Sequence, residues 1–556
     1  MDSANARKKY KILMLDDERV ILLTIAGVLR NAPYNLVMCN NVSEAMEQFK
    51  QGGFDCIISD IIMDDIDGFE FRGLIRKYNA RIPFIFLSAM VNDINNSLIN
   101  NIMSDNFSFY LNKKFSRDDL LRKLEQVIEP YRAQAEMQQL RKSLENQLEM
   151  AKKVQIAILP PIFQIKNNYI TSYIYKPKFQ VSGDFFESIP LNKNKCIWVL
   201  GDISGHGIHS ALIMSAIISV IKETVQTKKE YHTKPELILK DLNQFFRTKF
   251  KVNHYMTCMI AIWDFEQKVL LYHNAGCPDI LCFNNKTLEK TDMNPDHLGS
   301  VPIGMFDDAV YSAKDNIKYH FCDDDVFFAL SDGIYDLSQS EEAQNEENDD
   351  YIEESFLETT LKATLGNNSI PQIPYQFWDI LQKSGYHSQI DDCTMVLMTR
   401  NPYKLNPNHL YRQIYPTAID VDTAAMEIGE YVRKQFSSDI MAEKTELLLC
   451  EFLNNIISHS EAKDLDGHFD SVALYLKGKP TRIEIRVWDF NPNWKNINFK
   501  SHNHEELDRL FDKLNSNGAP NGRGVPLIMK LSSNVRRNFY DQLNETIFTI
   551  DTKKIE

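Results

Sequence analysis

The sequence predicts a multidomain protein in which α/β and α+β modules are joined by a helical connector. Its 556 residues exceed what one hydrophobic core accommodates, so about three domains are expected. Alternating strand and helix patterns near the N-terminus indicate a parallel sheet, and four acidic turns in the middle of the chain adjoin strand-like segments. The net charge of -14 predicts no nucleic-acid partner, because there is no basic surface to bind a phosphate backbone.

Cysteine usage and apolar segments favour a reducing compartment. The nine cysteines are scattered singly, so neither a disulfide framework nor a zinc site is indicated. The first ten residues are charged and lead directly into a strand, so we expect no signal peptide. The longest apolar run, Ala211–Ile221, is too short to span a bilayer. These features predict a cytoplasmic protein with no membrane contact.

The first module, residues 8–129, is expected to be a doubly wound α/β domain. In such sheets ligands bind at the carboxyl ends of the strands. The predicted strand ends carry three acids, a hydroxyl and a lysine: Asp16, Asp17, Asp60, Ser88 and Lys113. Converging carboxylates would repel each other unless a divalent cation lay among them, and oxygen ligands suit Mg²⁺. A metal, a hydroxyl and a lysine around one aspartate make a phosphoryl-accepting site.

The motifs in this module are Leu15-Asp16-Asp17-Glu18, Ser59-Asp60, Leu87-Ser88-Ala89 and Tyr110-Leu111-Asn112-Lys113. Together they resemble the response-regulator receiver family. The resemblance implies that Asp60 accepts phosphate from a sensor histidine kinase and also joins Asp16 and Asp17 in holding Mg²⁺. It further implies that Ser88 and Tyr110 couple phosphorylation to a surface change, with Lys113 beside the phosphate.

The connector, residues 130–159, is predicted to be helical. Pro130 is expected to close the helix that precedes it. Apolar residues and one glutamine then follow a 3-4 spacing: Met137, Leu140, Leu144, Gln147, Ala151, Val154 and Ile158. This seam favours a coiled coil that joins two copies of the chain into a homodimer. The alternative is a single helix packed on a neighbouring domain.

The central module, residues 160–400, contains four acidic turns in order. They are Ser182-Gly183-Asp184, the glycine-rich stretch Gly201–Gly207 that contains Asp202, Ser331-Asp332-Gly333, and Asp391-Asp392-Cys393-Thr394. Carboxylates without nearby cysteine or histidine ligands select Mg²⁺ or Mn²⁺ rather than zinc. Two such ions can bind a phosphate and acidify a water molecule that attacks it.

These four turns resemble the metal-dependent serine/threonine phosphatases of the PP2C class, in the bacterial branch of sporulation and stress-response phosphatases. The resemblance implies an α+β sandwich and a two-ion site formed by Asp184, Asp202, the Ile203 carbonyl, Asp332 and Asp391. Asp202 would bridge both ions, and Asp392 is the alternative to Asp391 as a ligand. His206 and His209 are expected to shape the turn or support the ligands rather than act as acids.

The last module, residues 410–556, combines a helix, a strand and a glycine-rich turn. Glu451 and Asn455 follow at an i, i+4 spacing on one helix face. A later strand ends in Asp489, and Gly522 and Gly524 lie in a turn that enters a helix. A glycine-rich helix entry suits backbone contact with phosphates.

This combination resembles the GHKL ATP-binding fold, an α+β fold, in its anti-sigma-factor serine-kinase form. The implied ATP site comprises Glu451 as the base, Asn455 as the Mg²⁺ ligand, Asp489 as the adenine-binding residue, and Gly522 and Gly524 over the phosphates. Asn491 and Asn493 replace two glycines of the adenine motif, and asparagine tolerates left-handed backbone next best after glycine.

Receiver, phosphatase and kinase in one acidic chain predict a bacterial partner-switching regulator. In this hypothesis the kinase phosphorylates a STAS-type anti-sigma-factor antagonist, the phosphatase removes that phosphate, and phosphorylation of Asp60 shifts the balance. An anti-sigma or sigma factor is a further candidate partner. The alternative is a phosphatase whose C-terminal module is a non-catalytic scaffold that binds the anti-sigma factor or its antagonist. A phosphorylation-gated sequestering protein with an inactive phosphatase site is a more distant hypothesis.

Overall fold

The structure is a computed structural model that describes residues 10–64, 66–88, 105–205, 207–250, 254–339, 351–366, 370–401, 408–415, 417–459, 471–490 and 524–551. The chain forms two compact units, residues 1–147 and 148–556. The first contains the N-terminal domain. The second contains the central and C-terminal domains.

The N-terminal domain is a doubly wound parallel sheet in the strand order β2-β1-β3-β4-β5, as the sequence predicts. Its described elements are β1 Tyr10–Leu15, α1 Arg19–Val28, β2 Tyr34–Cys39, α2 Val42–Lys50, β3 Cys56–Asp60, α3 Gly68–Arg76, β4 Phe84–Ser88 and β5 Ser108–Asn112. The strands β1, β3 and β4 are apolar along almost their whole length because helices cover both faces of the sheet.

A single helix, α4, follows this domain and spans Arg117–Ile158, 42 residues in all. The prediction that Pro130 closes the helix was wrong. Proline costs the helix one backbone hydrogen bond, but tertiary contacts hold the next turn in place. The Tyr131 hydroxyl accepts a hydrogen bond from the Asn79 side chain, and Arg132 forms a bidentate ion pair with Asp55 at 2.6 and 2.8 Å. The last helix of the N-terminal domain and the connector are therefore one element.

Most of the predicted seam of the connector is solvent-exposed in the single chain, but its last residue, Ile158, packs against the core of the central domain. Met137, Leu140 and Leu144 are 73%, 72% and 50% exposed. Apolar side chains in this 3-4 pattern are available to a second helix, so the coiled coil stays a prediction.

The central domain is an α+β sandwich of two antiparallel sheets, in the orders β14-β11-β10-β9-β8 and β13-β12-β15-β16-β7-β6. Its strands are β6 Phe163–Ile165, β7 Tyr169–Lys176, β8 Phe185–Pro190, β9 Lys195–Ile203, β10 Met256–Asp264, β11 Val269–Ala275, β12 Leu281–Asn284, β13 Lys290–Thr291, β14 Ile317–His320, β15 Asp325–Leu330 and β16 Cys393–Arg400. Its described α-helices are α5 Ile208–Thr227, α6 Pro235–Lys249, α7 Asp332–Tyr335, α8 Glu354–Thr364 and α9 Ile373–Lys383.

The sandwich is held by three apolar layers. Trp198, Trp263 and Phe327 meet between the sheets, with ring centroids 5.4 Å apart for the two tryptophans and 4.8 Å apart for Trp263 and Phe327. Helices α5 and α6 cover one outer face, and α8 and α9 cover the other. By length and composition α5 could cross a membrane, but it contributes many buried side chains to the core, as soluble core helices do.

The C-terminal domain is a five-stranded antiparallel sheet, in the order β17-β18-β19-β21-β20, with helices on one face. Its described elements are β17 His409–Ile414, α10 Ala418–Phe436, α11 Asp439–His459, β18 Val472–Lys479, β19 Arg482–Asp489, α12 Gly524–Leu531, β20 Asn534–Tyr540 and β21 Leu543–Asp551. Along β18, Val472, Leu474 and Leu476 face the helices, so the alternate residues point to the opposite face.

That opposite face packs on the central domain. Tyr411, Tyr475 and Trp488 are buried in the same apolar cluster as Phe163 and Trp378 of the central domain. The Trp488 indole N–H donates to the Gln372 side-chain oxygen at 3.1 Å. We call this contact the sheet interface. The central domain thus covers the middle of this face, whereas no residue of the edge strand β20 is buried and Phe539 is 39% exposed.

Candidate functional site

Backbone hydrogen bonds join the last two acidic turns of the central domain. The Ser331 N–H donates to the Thr394 carbonyl at 2.8 Å, and the Thr394 N–H donates to the Ser331 hydroxyl at 2.9 Å. A Cβ on Gly333 would lie 2.1 Å from the Asp392 carbonyl oxygen, so only glycine allows this approach. Asp332 and Asp391 are thereby brought to one end of the sandwich.

The first two acidic turns meet at Gly183. A Cβ on Gly183 would lie 2.7 Å from the Ile203 carbonyl oxygen and 3.3 Å from Asp202 Oδ1. The Gly183 N–H also donates to Asp392 Oδ2 at 2.8 Å. The four turns that are dispersed over more than 200 residues of sequence therefore converge on one site, which we call the central acid cluster.

The neighbouring acids Asp391 and Asp392 have different surroundings. Both oxygens of Asp392 accept backbone hydrogen bonds, from the Lys178 N–H and the Gly183 N–H, each at 2.8 Å. Among the described residues, the hydrogen bond that Asp391 Oδ1 accepts comes from the Asp392 N–H that follows it. The Asp392 carboxylate is thus used to hold the turns together, whereas Asp391 retains an oxygen for a ligand.

The electrostatics of the cluster are dominated by negative charge. Burial, with the charges of Asp332 and Asp391, raises the pKa of Asp202 to about 7. Burial, with the charges of Asp202 and Asp392, raises the pKa of Asp184 well above its usual value. Among the described residues, no lysine or arginine forms an ion pair with Asp184, Asp202 or Asp332. Either protonation or a bound cation would offset this charge.

The acids present fit divalent metal ions. Neither oxygen of the fully buried Asp184 carboxylate has a hydrogen-bond partner in the part of the chain that the structure describes. A buried carboxylate without a donor is costly unless it binds a cation. Carboxylate oxygens are the ligands that Mg²⁺ and Mn²⁺ prefer.

Asp202 lies within the strand β9, near its end, rather than in the glycine turn after it. Gly205 and Gly207, with φ of +85° and +94°, form the turn that leads into α5. The His254 ring lies beside this turn, with Nδ1 2.8 Å from the Ser204 carbonyl, a contact that the sequence did not suggest. His209 is exposed at the start of α5, with its ring centroid 6.3 Å from that of His254, and His206 lies outside the described residues.

A residue missed as functional by sequence reasoning holds the first acidic turn. The buried Gln155, in the last turn of α4, donates from Nε2 to the Ser182 carbonyl at 2.7 Å and accepts from the Ser182 N–H at 3.0 Å. Asp184 lies two residues after Ser182. The paired bonds fix the turn to the connector helix. One signal for this role is present in the sequence, which is that Gln155 is a polar residue directly after the seam residue Val154.

The N-terminal domain brings together the acids that the sequence predicts. Ligand oxygens of Asp16, Asp17 and Asp60 all lie within 4.8 Å of one another. The Lys113 ammonium lies 3.1 Å from Asp16 Oδ2 and 2.7 Å from Asp60 Oδ2. A Cβ on Gly68 would lie 2.2 Å from the Asp60 carbonyl oxygen, so glycine is required there. We call this set the N-terminal acid cluster.

The lysine balances part of the charge in this cluster. Burial raises the pKa of Asp16, and the positive charge of Lys113 opposes that shift. Burial acts to lower the pKa of Lys113, but its hydrogen bond to Asp60 and the charge of Asp16 raise it overall. Ser88 ends β4 one strand away, and its carbonyl accepts from the Lys113 N–H at 2.8 Å. The buried Tyr110 hydroxyl has no hydrogen-bond partner among the described residues.

In the C-terminal domain, α11 carries Glu451 and Asn455 one turn apart. Asp489 ends β19, is buried, and accepts a hydrogen bond from the Asn544 side chain at 2.9 Å. Gly524 begins α12. Gly522, Asn491 and Asn493 lie outside the described residues.

Three family models match consecutive parts of the chain. Residues 12–125 match the response regulator receiver domain, residues 192–401 match stage II sporulation protein E (SpoIIE), and residues 415–550 match the histidine kinase-like ATPase domain. The chain therefore carries a receiver domain, a PP2C-type phosphatase domain of the SpoIIE kind and an ATPase domain of the GHKL kind. The fold class and the domain types predicted from the sequence are confirmed.

Individual relatives match separate parts of the chain. Phosphoserine phosphatase RsbP of Bacillus subtilis is 25% identical over 207 residues, covering 36% of this chain and 48% of RsbP. The nisin biosynthesis regulatory protein NisR of Lactococcus lactis is 34% identical over 116 residues, covering 21% of this chain and 49% of NisR. The chain thus spans about half the length of these relatives. The solved RsbU and RsbW domains of Rv1364c from Mycobacterium tuberculosis align with 70% of this chain and 94% of theirs, at 15% identity and a TM-score of 0.35.

Proposed function

We propose that the chain is a metal-dependent phosphatase that hydrolyses phosphoserine or phosphothreonine on a protein. The observation that carries this proposal is the central acid cluster, in which carboxylates from four turns converge and, within the described part of the chain, no lysine or arginine forms an ion pair with Asp184, Asp202 or Asp332. The similarity to a phosphoserine phosphatase supports the same substrate class.

Each acid of the cluster has a distinct part in this proposal. Asp202, on which the charges of Asp332 and Asp391 act, would be shared by two Mg²⁺ or Mn²⁺ ions. Asp184 and the Ile203 carbonyl, which the close approach of Gly183 brings near Asp202, would hold one ion, and Asp332 and Asp391 would hold the other. When bound, such ions supply the positive charge that attracts a phosphate and acidify the water that attacks it. Asp392 keeps the turns in register through its two backbone hydrogen bonds.

Hydrolysis of p-nitrophenyl phosphate and of a phosphoserine protein by the full chain tests this proposal. We expect turnover with Mn²⁺ or Mg²⁺, none with EDTA, and recovery when metal is returned. Turnover that resists EDTA, or that survives Asp202→Ala, would contradict it.

We further propose that Asp60 accepts a phosphoryl group from a sensor histidine kinase, with Mg²⁺ on Asp16 and Asp17, and thereby controls the phosphatase. The physical route is α4, which continues from the receiver's last helix to the Gln155 bonds on the Ser182 turn. Phosphatase rates of wild type and Asp60→Ala should diverge when a small phosphodonor such as acetyl phosphate is added. Identical rates in both proteins would rule out receiver control.

The exposed seam of α4 is proposed to pair two copies of the chain. A charge introduced at its centre, Leu140→Lys or Leu144→Lys, should convert a dimer into a monomer by light scattering, because two buried ammonium groups would face each other. A wild-type monomer would refute the pairing.

The ATPase domain is proposed to bind ATP and Mg²⁺ and to phosphorylate the same protein that the phosphatase dephosphorylates, a STAS-type anti-sigma-factor antagonist in the cytoplasm. Glu451 would act as the base, Asn455 would bind Mg²⁺, Asp489 would bind the adenine, and Gly522 and Gly524 would contact the phosphates. Incubating Asp202→Ala with ATP and a candidate antagonist isolates this activity, since the product is not removed. Phosphoserine that is lost in the Asp202→Ala, Glu451→Gln double variant supports the kinase. A stable complex without phosphoserine would favour a non-catalytic scaffold.

A further inference from the structure

We infer that a groove beside the central acid cluster binds basic residues that flank the phosphoserine of the substrate, an inference that rests on the proposed phosphatase function. The groove has a volume of about 650 Å³ and lies between the end of β11 and the segment 294–315. We call it the acidic groove.

The groove lies within reach of a peptide whose phosphoserine occupies the metal site. Gly276 lines it, and a Cβ there would lie 3.5 Å from Thr257 Cγ2. Thr257 is the register partner of Asp202 on the adjacent strand. Two strand spacings of about 4.8 Å therefore separate this wall of the groove from Asp202. An extended peptide covers that distance in about three residues.

The lining of the groove is negatively charged. Asp279, Asp308 and Asp315 contribute carboxylates, and the described residues that line it include no lysine or arginine. The Asp279 carboxylate is held by neutral donors, the side-chain amides of Asn274 at 3.0 Å and Asn294 at 3.1 Å. The negative charge is therefore ordered but not neutralised. Charge complementarity requires a cationic occupant.

The shape of the groove favours a peptide over a single ion. Its volume of about 650 Å³ is far larger than the space that one ion occupies, and it falls in the range of ligand-binding clefts. Phe306 and Val310, which also line the groove, are 51% and 76% exposed. Arginine and lysine pair a charged tip with an apolar stem, which suits carboxylates set among apolar side chains.

Phosphoserine peptides test the inference on the full chain with Mn²⁺. One peptide carries arginines about two to four positions before the phosphoserine, a second carries them after it, and a third has glutamines at those positions. We expect wild type to hydrolyse one arginine peptide with a kcat/KM about fivefold or more above that of the glutamine peptide. In the double variant Asp308→Asn/Asp315→Asn, the ratio of kcat/KM between the arginine peptide and the glutamine peptide should fall close to one. The main cause should be a higher KM for the arginine peptide.

Two controls separate the groove from the metal site. Hydrolysis of p-nitrophenyl phosphate, which does not reach the groove, should be unchanged in the double variant. Asp296→Asn removes an exposed acid of the same segment that does not line the groove, and it should keep the arginine preference.

The outcomes are distinct. Equal kcat/KM for arginine and glutamine peptides in wild type, or an arginine preference that survives in the double variant, would overturn the groove inference while leaving the phosphatase intact. If wild type hydrolyses neither p-nitrophenyl phosphate nor any peptide, the phosphatase function itself is wrong and the groove inference falls with it.

Discussion

The N-terminal and central acid clusters both gather carboxylates at the ends of strands, but only the N-terminal cluster contains a lysine. Lys113 lies within 3.1 Å of two of its acids. In the central cluster the charges that act on Asp202 come from other carboxylates, and they help burial to raise its pKa to about 7. The protein itself balances part of the negative charge of the N-terminal cluster, whereas the charge of the central cluster must be balanced by what it binds.

This difference matches two kinds of phosphate chemistry. In a receiver site one carboxylate becomes the phosphoryl acceptor, so a resident lysine can stabilise the transferred group while a single ion supplies the remaining charge. In a hydrolytic site the substrate phosphate and the attacking water must both be positioned by cations. A resident lysine among the ligands would compete with those cations for the same oxygens.

The largest expected effect is on catalysis. Asp202→Asn should lower Mn²⁺-dependent hydrolysis of p-nitrophenyl phosphate by about 10³-fold, because it removes the ligand proposed to bridge both ions. The matched control is Asp60→Asn, which removes the same charge from the N-terminal cluster and should leave this rate unchanged. Equal losses in the two variants would mean that the clusters do not act separately.

The next effect concerns stability and pH in metal-free protein. Because the folded-state pKa of Asp202 is about 7 against an ordinary value of 3.8, folding favours its protonated form. This contribution is fully present below about pH 4 and is lost as the pH rises through about 7, by on the order of 4 kcal/mol. Denaturant unfolding followed by tryptophan fluorescence measures it, since all five tryptophans lie after residue 160.

Asp202→Asn should remove this part of the pH dependence, and saturating Mn²⁺ should stabilise the wild type most above pH 7. A metal-free wild type that becomes more stable from pH 5 to pH 8, relative to Asp202→Asn, would contradict the assigned direction.

A smaller effect is expected from Gln155→Ala. The substitution leaves the Ser182 N–H and carbonyl without their partners and should lower phosphatase turnover about tenfold, because each buried unsatisfied group costs about 1–3 kcal/mol and Asp184 follows directly. Gln139→Ala, which changes an exposed glutamine of the same helix outside the predicted seam, is the control. If both variants retain wild-type turnover, the central cluster does not need the connector to position it.

The smallest effect is on Mg²⁺ binding by the receiver. Lys113→Met should tighten Mg²⁺ binding about fivefold, because a positive charge next to two ligands is removed. Isothermal titration of the full chain would measure this, with the adjacent exposed Lys114→Met as the control. Weaker binding in Lys113→Met would show that the lysine orders the acids more than it competes with the ion.

The two clusters could be predicted because their acids follow apolar strands in a fixed order. Asp16 and Asp60 needed no tertiary information beyond the rule that the carboxyl ends of parallel strands meet at one edge, whereas Asp202 lies in an antiparallel sheet and was predicted from the family resemblance of the four acidic turns. Asp391 and Asp392 could not be separated, because adjacent residues of the same chemistry differ only in the distant Lys178 and Gly183 N–H groups that bind one of them.

The connector shows where local rules are insufficient. Pro130 is a helix breaker by its own chemistry, yet Tyr131 and Arg132 are held by residues more than 50 positions earlier. Heptad spacing selected Gln147 as the polar residue of note, whereas the buried glutamine is Gln155. Spacing along a helix identifies a face, but it does not identify what covers that face.

The sheet interface has a consequence for how the chain can be synthesised and divided. When the C-terminal sheet leaves the ribosome, the central domain that covers Tyr475 and Trp488 has already emerged and can serve as a template for it. A truncated protein that starts near residue 410 would expose this aromatic surface and is expected to aggregate. Expression of residues 148–556 as one piece should give soluble protein where the C-terminal fragment alone does not.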